Sequence, residues 1–69
     1  MAIYKVSYVI PKDPLASTIL IQEHPPQVGD TLTLHNQTYR VVEVITLMPP
    51  QGPIHFLHAT IEPVTPNTP

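Results

Sequence analysis

The sequence predicts an all-β fold in which five short strands curl into a small barrel, closed or half-closed. Three observations carry that expectation. Apolar and polar residues alternate with period two over several short stretches, as half-buried strands require. β-Branched and aromatic residues crowd the same stretches. Ten prolines and two glycines punctuate the gaps, and both residue types interrupt regular structure.

The first strand is expected over residues 2–10. Ala2, Tyr4, Val6, Tyr8 and Ile10 share one face, with Ile3, Lys5, Ser7 and Val9 on the other. Pro11-Lys12-Asp13-Pro14 ends it, because proline has no ladder donor and pushes the preceding residue out of the helical region. Residues 15–24 admit two readings. Asp13 as N-cap with Pro14 at the first helical position is a helix start, and Leu15/Ile19 and Ala16/Leu20 would stack at helical spacing. Against that, Thr18-Ile19-Leu20-Ile21 is rich in β-branched residues and His24-Pro25-Pro26 closes the segment early. A strand preceded by a short turn at 14–17 is the favoured reading.

Pro25 to Asp30 forms a stiff connection into the longest proline-free stretch of the chain, which holds residues 28–48. Gly29-Asp30 is a turn signal, and an Asp there bonds local backbone N–H groups. Leu32 and Leu34 then alternate with threonines. Asn36-Gln37 reads as a two-residue turn, because Asn tolerates positive φ. That turn sets Leu34 opposite Tyr39 and Leu32 opposite Val41, burying one face of a hairpin. The pattern of the second strand changes phase at Glu43, which falls on the face of Tyr39 and Val41. A bulge near Val42-Glu43 would return Val44 to the core and bend the strand. Such bends belong to small barrels more than to flat sheets.

Met48-Pro49-Pro50-Gln51-Gly52-Pro53 reads as a rigid loop. The last strand is expected at 54–62, with Leu57, Ala59 and Ile61 on one face and Ile54, Phe56, His58 and Thr60 on the other. Residues 1–62 thus make one domain, and 63–69 a proline-rich tail expected to be extended and disordered. No internal repeat is visible.

The run Pro-Pro-Gln-Val-Gly-Asp-Thr-Leu-Thr-Leu (25–34), a turn, and Tyr39-Arg40-Val41-Val42 resembles the central hairpin of small SH3-like barrels. The resemblance covers residues 25–47. It implies a small five-stranded SH3-like β-barrel, a meander around a central hairpin at 31–47. It carries no function, because SH3-like barrels host peptide binders, nucleic-acid binders and subunits of assemblies. No specific family is identified.

A chain of 69 residues has room for one core. Domains this small bury only about 60% of their unfolded surface, and with no cysteine there is no disulfide staple. A tight barrel, oligomerisation or a larger partner must supply the rest. Three Lys/Arg against five Asp/Glu give a net charge of −2. Three cations do not build the phosphate-tracking stripe of a nucleic-acid binder. No apolar run approaches the ~20 residues of a membrane span. The start lacks a basic leader and a cleavage site, so a soluble cytoplasmic protein is expected, with no membrane contact.

The four histidines, His24, His35, His55 and His58, are the residues that could suggest a ligand or metal site. Zinc needs three or four ligands converging on one point. On a strand, His55 and His58 point to opposite faces, and His24 and His35 sit at or beside turns. No cofactor is expected. The carboxylates are scattered, no serine can be argued to lie beside a histidine–acid pair, and no glycine loop cradles a phosphate, so an enzyme is not expected. Glu43, among valines, is either an outward residue beside a bulge or a buried acid with a raised pKa. Tyr4 and Tyr8 suit a core edge or a shallow groove.

Two surfaces are candidates for a partner. Leu47, Met48, Pro49, Pro50 and Ile54 surround the stiff loop, which either plugs the barrel end or forms a binding tip. Ile19, Leu20 and Ile21 leave apolar area on the outer side of a strand. The expected function is a non-enzymatic protein-interaction module, a homo-oligomer or an accessory subunit of a larger complex. The alternative is a β domain that binds a small ligand or metal through its histidines. A nucleic-acid-binding SH3-like domain ranks third.

Overall fold

The computed structural model describes residues 2–64. Strand β1 spans Ile3–Val9, β2 Thr18–Gln22, β3 Thr31–Leu34, β4 Gln37–Gln51 and β5 Ile54–Pro63, with one turn of 3-10 helix at Pro14–Ala16. They form a single mixed sheet in the order β2-β1-β5-β4-β3, curled into a half-barrel.

The topology is not the simple meander expected. β1 and β2 form an antiparallel hairpin and β3, β4 and β5 run antiparallel in sequence, but β1 lies parallel to β5. β2 and β3, consecutive in the chain, are therefore the two edges of the sheet. The segment between them contains Pro25-Pro26, which supplies no ladder donors and cannot make the tight turn that would pair them. The strands with the most apolar inner faces take the middle instead.

The core is Val6, Tyr8, Ile10, Tyr39, Val41, Leu57, Ala59 and Ile61, with Leu32, Leu34 and Val44 packed against it half-buried. The alternation read in the first and last strands holds: Val6, Ala59 and Ile61 are fully buried. The hairpin expected at the centre is peripheral. Its Leu32 and Leu34 sit on an edge strand, whereas β5 has neighbours on both sides.

Residues 15–24 resolve in favour of the strand. The Pro14 turn closes through Ser17 N–H to the Pro14 carbonyl at 3.1 Å, and the Ser17 hydroxyl accepts from Ile10 N–H at 3.1 Å. The Asp13 side chain makes no capping bond, so nothing propagates the helical turn.

The loop entering β3 is built around Gly29. Asp30 N–H bonds the Gln27 carbonyl at 2.9 Å with Gly29 at φ 99°, the third position of a type II turn. Gly29 N–H then bonds the Val41 carbonyl, and Val41 N–H bonds the Asp30 carbonyl. Two residues oppose one, with a positive-φ glycine first, which is a G1 bulge. The Asp30 carboxylate accepts from Gln27 N–H at 2.9 Å, the local role its position suggested.

The turn between β3 and β4 is His35-Asn36, one residue earlier than expected, with φ of 51° and 63°. Positive φ at both central residues is the type I′ hairpin turn. Leu32 therefore pairs with Tyr39 rather than Val41, and Leu34 with Gln37. The shift is two residues, so every side chain keeps its expected face.

β4 carries the anticipated bulge: the register shifts between Val41 and Glu43, and Val44 returns to the core side opposite Ala59. Two further shifts, at Thr46/Met48 and Met48/Gln51, had no signal in the alternation. The expected loop at 48–53 is instead the end of β4 and a two-residue turn, Gly52-Pro53, closed by the pair Gln51 and Ile54. Gly52 at φ 62° takes the first central position of a type II′ turn. Pro49 and Pro50 fit in a strand because β4 pairs with β3 only as far as Arg40. Beyond the Gly29 bulge, its outer edge is free of ladder bonds that a proline would break.

β5 runs through Pro63, and Val64 N–H bonds the Thr38 carbonyl at 2.8 Å. The rest of the expected tail, 65–69, lies outside the described residues. Among those described, no helix is long and apolar enough to cross a membrane, which says nothing of strands.

Candidate functional site

The sheet has an inner face that forms the core and an outer face that no other described residue covers. Cross-strand registers place outer residues in rows. One row is Ile21, Lys5, Phe56 and Met48, on β2, β1, β5 and β4. The next is Ile19, Ser7, His58 and Ile45. Ile3 and Ile54 extend the patch at one end, and Thr60 and Glu43 follow at the other. Ile21 is 72% exposed and Ile19 58%, with Ile45 and Met48 near half. An apolar area this continuous, interrupted only by Lys5, Ser7 and His58, is uncommon on a surface that stays in water.

The partner-binding candidates from the sequence fall mostly on or beside this face. Ile19, Ile21, Met48 and Ile54 belong to it. Leu47 is exposed at a register shift, and Pro49 and Pro50 are exposed along β4 beyond it. Leu20 does not belong: it pairs with Val6 and so faces inward, at the rim of the open side. The two candidate stretches are far apart in sequence, and β1 and β5 join them. Lys5, Phe56, His58 and Ile45 complete the surface. Their outward phase was legible, but nothing local showed that β1 and β5 lie side by side.

A short polar line crosses one end of the face. His58 Nε2 lies 3.1 Å from Thr60 Oγ1, and the Thr60 hydroxyl donates to a Glu43 carboxylate oxygen at 3.4 Å. With the proton on Nε2, the imidazole donates and the hydroxyl passes the polarity on. The hydroxyl sits between base and acid, so the acid does not orient the imidazole as a nucleophilic triad requires. Glu43 is exposed, which settles its two readings in favour of the outward residue.

The open side of the half-barrel holds a recess of about 430 Å³ near Tyr8, Gln22, His24, Asp30 and Leu32. Two of its polar side chains, Tyr8 and Gln22, are engaged with each other. The Tyr8 hydroxyl donates to Gln22 Oε1 at 2.9 Å, and Gln22 Nε2 donates to the His24 carbonyl at 2.7 Å. Burial pushes the Tyr8 pKa above its ordinary 10.0. The bond to Gln22 pulls it down, and the negative charge of Asp30 pushes it up.

The histidines stand apart. His24 borders the recess, and His35 donates from Nε2 to the Ala16 carbonyl at 3.1 Å, tying the β3–β4 turn to the 3-10 turn. His55 stacks on Tyr4 with ring centroids 4.7 Å apart, and His58 lies on the outer face. Among the described residues, no three His, Asp or Glu side chains come together as a metal site. Comparison with family models, with curated proteins and with solved structures finds no match to this chain.

Proposed function

We propose that this chain is a non-enzymatic protein-interaction module, an SH3-like half-barrel that works as a homo-oligomer or as an accessory subunit of a larger complex. The observation that carries the reading is the apolar outer face spanning β2, β1, β5 and β4. Burying it would add apolar contact at about 25 cal/mol per Å², to a domain with a thin core and no disulfide. The bulge that bends β4 supports the SH3-like description. The Tyr8–Gln22 bond closes part of the recess, and the outer face offers the larger run of exposed apolar side chains.

The test compares the native chain with an Ile21→Lys/Ile45→Lys variant that retains its circular dichroism spectrum. Both are measured for self-association by light scattering and for retained partners by affinity purification from the native host. The variant should lose whatever the native chain holds. If the native chain neither self-associates nor retains any partner that depends on these two residues, the reading is overturned.

A further inference from the structure

We propose that the occupant of the outer face is a second copy of this chain. Its two-fold axis passes over His58 and sets Lys5 of each copy against Glu43 of the other. This rests on the interaction-module reading and goes beyond it by naming the partner and the geometry.

The few charges on this face are placed to pair across a two-fold axis. In the two apolar rows Lys5 is the one residue of fixed charge, and Glu43 is the first acid beyond them. Arg40 and Glu62 follow as a cross-strand pair at the rim. His58 sits midway between Lys5 and Glu43. From His58, Lys5 is one strand over on β1 and two residues towards Ile54. Glu43 is one strand over on β4 and two residues in the opposite direction, beside Thr60. With strands about 4.8 Å apart and about 3.3 Å per residue, each displacement is about 8 Å, and the two are opposite in direction.

Two such faces can be laid together about an axis in the interface plane. If that axis runs through His58, perpendicular to the Lys5–Glu43 diagonal, it carries each charge onto the other's position. A two-fold interface repeats every contact, so one arrangement makes two ion pairs while the isoleucines and Phe56 supply apolar area. An unrelated partner would need its own matched charges. Self-pairing needs none. The long-range cost is small, since each copy carries a net charge of only −2. Lys5 stands between Ile21 and Phe56 in its row, so its aliphatic stem can stay packed while the ammonium reaches across. Glu43 is exposed, and its bond to Thr60 is long, so its carboxylate is free to turn towards a cation.

The face is four strands wide, at the small end of specific interfaces. Association is therefore measured by sedimentation equilibrium up to about 0.5 mM. The native chain should reach twice its 7.7 kDa mass. Lys5→Glu alone and Glu43→Lys alone should each weaken the dimer about tenfold or more, as loss of a close interfacial charge pair does. The double reversal Lys5→Glu/Glu43→Lys should return it to within about threefold of the native affinity, by double-mutant-cycle logic. Arg40→Glu, at the rim, should have little effect. The chain lacks cysteine, so His58→Cys gives a single thiol, which a short bismaleimide should cross-link across sheets about 10 Å apart. A dimer that ignores the single reversals, or that the double reversal fails to rescue, refutes the axis. A chain that stays monomeric refutes the self-partner, while dependence of a different partner on Ile21 and Ile45 would leave the interaction-module reading standing.

Discussion

Ile61 and Ile21 are the same side chain in opposite surroundings, and replacing each by alanine tests which face of the sheet holds the fold. Ile61 is fully buried in the core, whereas Ile21 is 72% exposed on the outer face. Removing the Ile61 side chain forfeits its transfer energy and leaves a cavity beside Val41, its cross-strand partner. Ile→Ala at such a site costs about 2–5 kcal/mol. Total stability at about 0.05–0.15 kcal/mol per residue comes to roughly 3–10 kcal/mol for this chain. Ile61→Ala should therefore take about half of it, and the gentler Ile61→Val about 0.5–1.5 kcal/mol. Ile21→Ala in the monomer should stay within about 0.5 kcal/mol of the native value. The assay is urea unfolding followed by circular dichroism, at low concentration so that association does not add to apparent stability. Equal losses at the two positions would refute the assignment of inner and outer faces, and with it the argument that the outer isoleucines are free to bind.

Other consequences can be measured on the same footing. Gly29→Ala meets no atom within 4 Å at its new Cβ, so its cost is backbone strain alone. It should destabilise by about 1 kcal/mol, the left-handed penalty less the entropy alanine removes from the unfolded chain, and unchanged urea midpoints would argue against the type II turn and its bulge. Asn36→Val puts a β-branched residue at φ 63° and should lower stability by about 1–2 kcal/mol, with nuclear magnetic resonance showing a disturbed 35–36 turn. Tyr8 binds its proton more tightly when folded than when unfolded, because its folded pKa is raised above 10.0. Its contribution is therefore fully present below about pH 10 and declines as pH rises towards the folded value. Urea midpoints that fall above about pH 10 in the native chain, but less in Tyr8→Phe, would show this. His35→Ala removes the bond to the Ala16 carbonyl and should cost about 0.5–1 kcal/mol, with faster amide exchange at 15–17 as the readout.

Local pattern made much of the fold legible. The phase of Val6, Tyr8 and Ile10, and of Leu57, Ala59 and Ile61, identified the buried faces because alternation is a property of each strand by itself. The Val42 bulge was legible for the same reason: Glu43 broke the alternation and a single extra residue repaired it. The type I′ turn was missed by one residue because the alternation could not choose between adjacent turns whose registers preserve the same faces; the tolerance of His35 and Asn36 for positive φ was the signal that favoured the true one. The extension of β4 through Pro49-Pro50 was missed because proline is excluded only where a ladder donor is needed. Whether that edge is free depends on where β3 stops pairing.

Composition and alternation alone determined that the protein is a small β domain with a thin core, few charges and apolar residues left over at 19–21, 47–50 and 54. Which residues those leftovers stand beside was decided by the parallel contact of β1 with β5. That contact joins residues about fifty positions apart in the chain, a separation at which loop closure is governed by entropy and by the rest of the core. The surface linking Ile21 to Met48, and the diagonal from Lys5 over His58 to Glu43, exist only once that pairing is made.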